Sequence, residues 1–366
     1  MSVEREIAVF AFPFAAGVIA AITLGASPCI INPTYPTMAL TATTLSAALL
    51  LHPQRREWKI SSQWSLVILC ALTCGMFIGL SGLELTISAT QSSGLLDQWA
   101  MDLGNRVKSH IDAIAFKNRS TNEIMNALLT GERSGLTAEI KTAFRDSGAS
   151  HILALSGLHL GIIYAIISKI LSVTGNKKGM QRVRSLLIMA ACGLYTLATG
   201  AGASITRAYV FIVIKEAAVM AGRHASLKSL LAAALIFHLA FDPAAASDVG
   251  FQLSYAAIFG IAYIYPHLRN IWRNDWRGLK WIWESAALSI SCQLTTGPLA
   301  YCYFGTFPQY FLLTNLIAVP LAGMIIPAAL LTTVLYTAGC CPAIILRITE
   351  FLIQAMYEAL RTIASM

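Results

Sequence analysis

The residues of this sequence that could do chemistry are few, and they interrupt long apolar runs. Ser156 and His159 lie three apart in an apolar segment that opens at His151 and contains Gly157 and Gly161. A serine beside a histidine is the pair that nucleophilic catalysis uses, with the histidine as base. Small residues at four-residue spacing are instead typical of close helix packing. Because polar groups at membrane depth are costly, the segment predicts either a functional site or a packed helix with one satisfied histidine.

Two basic residues stand inside a second apolar run. Arg207 lies about one turn into the run, and Lys215 lies eight residues further on. On an α-helix this spacing separates the two side chains by about 80° in azimuth, so both could face one cavity. A cavity lined by these cations would attract an anion. The alternative is that both side chains snorkel to the two membrane interfaces.

Uncharged polar groups complete the candidate set. Asp248 is a suitable N-cap for the helix that follows it, and Gln252 and Ser254 would enter that helix as hydrogen-bonding groups. Asn315 stands five residues before Pro320, and this pairing predicts a discontinuous helix. Irregular backbone at membrane depth is tolerated where it is buried in protein or lines a water-filled cavity.

Several motifs that would indicate an enzyme or a motor are absent from the sequence. It has neither a GxxxxGKS/T phosphate-binding loop nor an HExxH metal-binding motif. Its eight cysteines contain no CxxC pair, which predicts neither a zinc site nor a disulfide framework. We therefore expect no metal, no cofactor, no catalytic residue and no enzymatic activity.

Membrane helices must position these residues, because the composition leaves little polar surface. Hydrophobic residues make up 56% of the 366 residues and charged residues only 12%, about half of what a soluble domain carries. Apolar runs long enough to cross a bilayer predict an all-α, polytopic membrane helix bundle of about 10–11 spans, some discontinuous, with surface amphipathic helices. The runs are 7–25, 36–51, 64–83, 151–173, 184–200, 204–221, 229–241, 250–266, 281–300 and 310–339, with 343–365 either spanning or lying on the surface.

The net charge of +8 has a topological explanation. If the chain threads alternately from a cytoplasmic N-terminus, the even-numbered loops face inward and hold most loop lysines and arginines. This distribution predicts a multi-pass protein of the cell inner membrane, with its N-terminus inside and its first helix retained. The basic residues concerned are Arg55, Arg56, Lys59, Lys177, Lys178, Arg182, Arg184, Arg223, Lys228, Arg269, Arg273, Arg277 and Lys280.

One large hydrophilic segment, 84–150, then lies outside the membrane. Apolar residues recur in it at helical spacing from Leu95 to Ile114, which predicts an amphipathic helix on the membrane surface. Further helices are predicted over 121–130 and 137–147. The predicted organisation is N-terminal transmembrane helices at 1–83, an extracytoplasmic segment at 84–120, a second transmembrane domain at 121–340 and a C-terminal helix at 341–366.

In these polar segments the chain resembles the ComEC family of competence proteins, and the most specific match is Leu155-Ser-Gly-Leu-His159. The resemblance identifies 121–340 as the family's competence transmembrane domain. It implies an inner-membrane channel that passes single-stranded DNA into the cytoplasm during natural transformation. The matching stretches are 127–136, 143–148, 151–161, 207–208, 248–254 and 304–320.

The resemblance suggests roles for particular residues and partners. The residues that match the family motif are His151, Gly157, Gly161, Asp248, Phe251 and Pro320. The expected lining of a DNA channel is Arg207, Lys215, Gln252, Ser254, Asn315, His159 and Ser156. The expected partners are single-stranded DNA, the lipid bilayer, a cytoplasmic helicase or motor and an extracytoplasmic DNA-binding protein. Phe251, Tyr255 and Tyr303 could stack on bases, although packing or lipid contact is the commoner role of such aromatics.

Two features of the family are not matched. Residues 84–120 are too short for the complete OB-like domain that many members carry, and the sequence does not contain the H-x-H-x-D-H motif of their metallo-β-lactamase-like domain. We therefore expect no nuclease role here and expect other proteins to supply those parts.

Three alternatives remain open from the residues alone. A secondary transporter of a small anion would suit broken helices, and inverted repeats would favour it, but none is visible. An intramembrane enzyme on a lipid-linked substrate would use Ser156 and His159, yet no orienting carboxylate lies nearby in sequence. A structural membrane scaffold is the third.

Overall fold

The structure is a computed structural model, and it confirms the all-α fold. In the ranges that it describes, the chain forms helices and no β-strand. The chain divides into two compact units. The first unit comprises Met1–Ser92 and His224–Ala262, and the second comprises Ser93–Arg223 and Tyr263–Met366. The described residues are 3–25, 34–51, 60–86, 95–174, 178–272, 276–305 and 309–366.

Sixteen α-helices cover the described residues, and the apolar runs correspond to them closely. A π-helical turn, Gly260–Ile264, interrupts the run predicted over 250–266. The helices are α1 (Val3–Gly25), α2 (Thr34–Leu51), α3 (Ile60–Thr86), α4 (Leu95–Asp112), α5 (Arg119–Thr130), α6 (Ala138–Asp146), α7 (Ser150–Leu153), α8 (Gly157–Leu171), α9 (Lys178–Ala198), α10 (Ala203–Met220), α11 (Leu227–Phe241), α12 (Val249–Phe259), α13 (Tyr265–Arg269), α14 (Arg277–Phe304), α15 (Phe311–Thr337) and α16 (Ala343–Ala364).

The helices have the length and composition of a membrane bundle. Two stretches are both long and apolar enough to cross a bilayer, Val249–Arg269 and Phe311–Thr337. Shorter apolar helical stretches are Val9–Thr23, Met38–Ala47, Val67–Gly79, Gly157–Leu171 and Leu227–Phe241. The span count and the orientation stay predictions. Five of the thirteen basic loop residues lie in 52–59, 175–177 and 273–275, outside the described residues.

In the first unit, α1 and α3 pack backbone to backbone. A Cβ added at Gly75 would overlap the carbonyl oxygen of Phe14, and one added at Gly17 would overlap that of Leu72. Glycine therefore lets the two helices approach more closely than any side chain would allow. The sequence signal for this contact is Gly75-Met-Phe-Ile-Gly79, a GxxxG motif of the kind that allows close helix packing.

In the second unit, a hydrophobic core joins short helices of the hydrophilic segment to α15 and α16. One pair of hydroxyl groups joins α15 to α16 within this core, since Thr332 Oγ1 lies 2.8 Å from Thr349 Oγ1. The predicted membrane-surface helix, α4, contributes its C-terminal apolar residues to this core, while Trp99 in its first half is 52% exposed. Fully buried members of the core include Ile111, Ile124, Met125, Leu128, Phe144, Ile152, Ile325, Ile353 and Leu360.

The discontinuity predicted from Asn315 and Pro320 is wrong. Helix α15 runs unbroken from Phe311 to Thr337, with Pro320 and Pro327 inside it. Each proline removes one backbone N–H, but in a membrane helix neighbouring groups can compensate for this loss. One face of α15 is buried along its length in the second unit's core, and this packing favours a continuous helix.

The sequence predicts that 343–365 either spans the membrane or lies on its surface, and the structure of α16 decides this only in part. One face of it is buried, from Thr349 through Met356 to Leu360. The opposite face exposes Ile344, which is 61% accessible, and Phe351, which is 70% accessible. The helix is therefore amphipathic and packs on the second unit's core through one face.

Candidate functional site

The segment predicted as one helix over 151–173 is broken, and the break lies at the family motif. Helix α7 ends at Leu153, α8 begins at Gly157, and Ser156 between them has extended backbone angles (φ −125°, ψ 172°). The spacing of three residues predicts that Ser156 and His159 share one helix face, and this is wrong because Ser156 caps α8 from outside the helix. A serine followed by glycine at the first helical position favours a helix start at this point.

Ser156 and His159 form a capping box at the start of α8. The Leu158 N–H donates to Ser156 Oγ at 3.3 Å, and the Ser156 N–H donates to His159 Nδ1 at 3.3 Å. Ser156 Oγ also lies 3.1 Å from the same ring nitrogen. His159 is fully buried, and its Nε2 atom has no hydrogen-bond partner in the described part of the chain. The pair fixes the helix start and leaves one buried imidazole nitrogen available.

The start of α8 lies against α10. A Cβ on Gly157 would sit 3.5 Å from the Cβ of Ala208, which is an ordinary contact, and a Cβ on Gly161 would meet no described atom within 4 Å. The interpretation of Gly157 and Gly161 as a close-packing pair is therefore wrong. Arg207 precedes Ala208 in α10 and is buried, at 5% exposure. A buried arginine is therefore one residue along the chain from the contact between α10 and the start of α8.

Three helices hold this arrangement in place. Helices α8, α9 and α10 contact one another, and their buried apolar side chains form a separate cluster. Tyr195 of α9 donates to the carbonyl oxygen of Leu129 at 2.8 Å, which ties the cluster to α5. The cluster consists of Leu160, Ile188, Cys192, Ile205 and Ile212.

Lys215 has a different environment from Arg207. Its side chain is exposed, and its Nζ atom lies 4.5 Å from the centre of the Tyr164 ring. A cation at this distance from an aromatic face gains a cation–π contact. The two basic residues of α10 therefore differ, with one buried beside the break and the other held over a ring.

Sequence reasoning missed a buried carboxylate one residue further on. Glu216 is 4% exposed, and it accepts a hydrogen bond from Tyr164 Oη at 2.7 Å and one from Ser185 Oγ at 2.6 Å. The signal was present, because an acidic residue inside an apolar run is by default a functional candidate. Its two hydroxyl donors come from α8 and α9, so Glu216 links all three helices.

Replacing Glu216 with leucine is expected to destabilise this three-helix cluster. The change leaves the Tyr164 and Ser185 hydroxyls without their acceptor, at a cost of roughly 1–3 kcal/mol for each buried group left unpaired. Thermal unfolding of the purified protein in detergent should show a lower midpoint for Glu216→Leu. The control Glu358→Leu removes an exposed carboxylate of α16 and should leave the midpoint nearly unchanged. Equal midpoints for both variants would contradict the linking role.

Candidate residues of the first unit are engaged in local contacts. Asp248 is the predicted N-cap, since its Oδ2 accepts from the Phe251 N–H at 2.9 Å. Gln252 Nε2 donates to the carbonyl oxygen of Ala246 at 2.9 Å. Phe251 and Tyr255 are buried with ring centres 4.4 Å apart. These two aromatics therefore pack within the unit, while Ser254 on the same helix is half-buried.

The remaining candidates lie in the second unit. Asn315 has a buried Oδ1 atom with no hydrogen-bond partner among the described residues. Its neighbour Thr314 donates to the carbonyl oxygen of Ser147 at 2.6 Å, which fixes the start of α15. His151 is exposed, with Nδ1 3.2 Å from the Gly148 carbonyl oxygen. The stretch 304–320 includes residues 306–308, which lie outside the described part of the chain.

No metal centre is evident in the described ranges. They contain no group of three or more His, Cys, Asp or Glu side chains that could hold a metal ion. Every described cysteine is a free thiol. The candidate polar groups of the second unit are instead the Arg207 guanidinium, the His159 imidazole at the start of α8 and, on α15, the Asn315 amide.

These features define the class of protein as an α-helical membrane protein whose apolar interior holds an arginine beside a broken helix. The chain belongs to the competence protein family, because the family model matches residues 128–366. That match includes the break at Ser156, Arg207, Asn315 and the whole of α16.

Two curated relatives are similar to more than half of the chain. ComE operon protein 3 of Bacillus subtilis (strain 168) is 27% identical over 198 residues, which is 54% of this chain and 24% of the relative. Competence protein ComA of Neisseria gonorrhoeae is 27% identical over 222 residues, which is 58% of this chain and 30% of the relative. The chain therefore matches less than a third of the length of each. No solved structure matches it.

Proposed function

We propose that this chain forms a channel of the cell inner membrane that passes single-stranded DNA into the cytoplasm during natural transformation. The observation that carries the proposal is the buried Arg207 beside the helix break at Ser156. Membership of the competence protein family supplies the biological context. An ionisable residue inside an apolar bundle is by default a functional-site hypothesis, and a positive charge suits an anionic solute.

The chemistry of a DNA strand fits this arrangement. Each nucleotide carries one phosphate, and the N-terminus of α8 presents the positive end of its helix dipole. The guanidinium of Arg207 would add a fork of donors that suits phosphate oxygens. Conduction requires that no single point bind too tightly, and sparse charge meets this requirement.

Uncharged groups would complete the passage without reading sequence. We propose that Asn315, Gln252 and Ser254 offer neutral hydrogen bonds, and that His159 Nε2 offers one more at the break. Lys215 would attract the strand at the exposed side of α10. Groups of this kind interact with any base or phosphate, which is the property that uptake of arbitrary DNA demands.

The geometry at Ser156 argues against the intramembrane hydrolase. A catalytic dyad needs a third group that orients the histidine through its other ring nitrogen. Within the described residues His159 Nε2 has no such partner, and Ser156 Oγ already accepts the Leu158 N–H. A transporter of a small anion is the second candidate, because broken helices with N-termini facing a substrate are typical of transporters.

Topology and partners belong to the same proposal. We propose a multi-pass protein with a cytoplasmic N-terminus, on the evidence of the basic loops. A cytoplasmic helicase or motor would pull the strand, and an extracytoplasmic DNA-binding protein would deliver it. The GxxxxGKS/T phosphate-binding loop does not occur in this sequence.

Deletion of the gene followed by uptake of labelled DNA tests the proposal. The deletion strain should bind DNA outside the inner membrane but accumulate no label in the cytoplasm, and the intact gene should restore entry. Normal entry in the deletion strain would overturn the channel. Lost accumulation of a small anion together with normal DNA entry would support the transporter instead.

A further inference from the structure

A cavity lies between α4 and α5, and neither Ser156 nor Arg207 lines it. Its volume is about 600 Å³, within the range of cavities that bind small molecules. All its lining residues belong to the second unit, in the hydrophilic segment predicted to lie outside the membrane. They are Lys108, Asp112, Phe116, Lys117, Arg119, Asn122, Glu123, Asn126, Glu132 and Gly135.

Glu123 and Asn126 line this cavity, and one oxygen atom of each, Glu123 Oε2 and Asn126 Oδ1, is buried and accepts no hydrogen bond from the described residues. Asn126 is only 6% exposed. Its Nδ2 donates to Asp112 Oδ1 at 2.6 Å, and this bond fixes which way the amide points. Glu123 and Asn126 are three residues apart on α5, so their side chains share one face. Buried acceptors left unpaired are costly, and a ligand with N–H donors would satisfy them.

The cavity lining carries three cations, Lys108, Lys117 and Arg119, and three carboxylates, Asp112, Glu123 and Glu132. Lys108 pairs with Glu132 at 3.8 Å, and Arg119 pairs with Glu123 at 3.7 Å while its side chain is 94% exposed. Hydrogen bonds from Ser134 lower the pKa of Glu132, so this carboxyl stays charged. Lys117 is exposed and forms no ion pair with a residue that the structure describes. The rim therefore offers one uncommitted cation and one mobile guanidinium.

We propose that this cavity binds one nucleotide of single-stranded DNA, a proposal that rests on the proposed DNA-uptake function. The base lies against the ring of Phe116 and donates from its Watson–Crick edge to Glu123 and Asn126. The phosphate lies at the rim, where Lys117 and Arg119 contact it. The cavity is thus a docking subsite separate from Arg207.

The acceptor pair explains which nucleic acid would bind. Each of the four bases has at least one N–H donor on its Watson–Crick edge, so two acceptors tolerate any sequence. In a duplex those donors are already paired and stacked, whereas single strands offer them together with a free base face. The subsite therefore selects single-stranded over double-stranded DNA.

Photo-crosslinking of the purified full chain in detergent tests the assignment. A short oligothymidylate carrying 5-iododeoxyuridine should crosslink to the peptide that contains Phe116, and excess unlabelled single strand should compete while duplex should not. Fluorescence anisotropy with the same oligonucleotide should show about tenfold weaker binding for Phe116→Leu, which keeps an apolar side chain but removes the stacking ring. Lys117→Ala should weaken oligonucleotide binding and reduce the slope of log affinity against log salt concentration by about 1, the amount expected for one phosphate contact.

The matched control is Lys141→Ala, which removes an exposed lysine of α6 outside the cavity and should bind as the unchanged protein does. Crosslinks elsewhere with none at Phe116 would overturn the subsite yet leave DNA uptake standing. Binding of Ca²⁺ or Mg²⁺ by calorimetry that Glu123→Gln abolishes, with no oligonucleotide crosslink, would overturn it in favour of a cation. Loss of DNA entry on gene deletion is measured separately, so the two proposals fail independently.

Discussion

Replacing Arg207 with alanine is expected to reduce transformation by about 100-fold while the protein still inserts into the membrane. Arg207 is buried one residue before Ala208, the α10 residue that contacts the start of α8, and in the proposed channel its guanidinium would meet a phosphate there. A hydrogen bond to a charged group contributes roughly 1.5–3 kcal/mol, equivalent to about 10- to 100-fold in a binding constant. Because every nucleotide that passes would lose this contact, the defect should recur along the whole strand.

Transformant counts and cytoplasmic label would measure the effect, with membrane levels of the variant checked by blotting. Arg207→Lys keeps the charge but loses the planar fork of donors, so it should recover part of the activity. Arg361→Ala removes an exposed arginine of α16 and should transform normally. Full transformation by Arg207→Ala would show that this arginine is no channel contact. Absence of the variant from the membrane, with normal amounts of Arg207→Lys, would assign Arg207 a packing role.

The helices could be predicted because hydropathy is a local property. Each apolar run between 184 and 241 corresponds to one of three helices, α9, α10 and α11, and the limits differ by a few residues. The amphipathic α4 was recognised in the same way from its apolar spacing. The spacing of apolar residues along the chain indicates where a helix forms, so a single sequence is sufficient to predict helix positions.

The continuity of helices could not be predicted as well, because it depends on contacts with distant residues. The prolines of α15 predicted a break, but its buried face packs along α16 and α5 and the helix stays whole. The break lies instead before Gly157, where Ser156 caps the start of α8 in the middle of an apolar run. Hydropathy alone does not register that competition, whereas the Ser156-to-His159 capping spacing does.

The candidate site was predicted in its residues but not in its connections. Arg207 and His159 were selected because polar groups at membrane depth are rare, and both are buried. The hydrogen bonds of Glu216 come from residues 52 and 31 positions away in the chain. Such pairings depend on how three helices pack, which no local pattern encodes.

Replacing Gly75 with alanine is expected to disrupt the first unit. The added Cβ would overlap the Phe14 carbonyl oxygen, and backbone atoms cannot move aside as a flexible side chain can. Helices α1 and α3 would have to separate, which weakens their packing along the whole contact. Forcing extra volume into a packed contact costs roughly 1–3 kcal/mol, a large share of the stability of a typical domain. Limited proteolysis and thermal unfolding in detergent should show a less stable N-terminal part.

The matched control for this prediction is Gly161→Ala, which makes the same chemical change in α8. A Cβ at Gly161 meets no described atom within 4 Å. Alanine is the better helix former by about 1 kcal/mol, so this variant should be neutral or slightly more stable. The contrast separates glycine needed for close approach from glycine that the fold merely accepts. Equal stability of Gly75→Ala and the unchanged protein would show that α1 and α3 do not pack through their backbones.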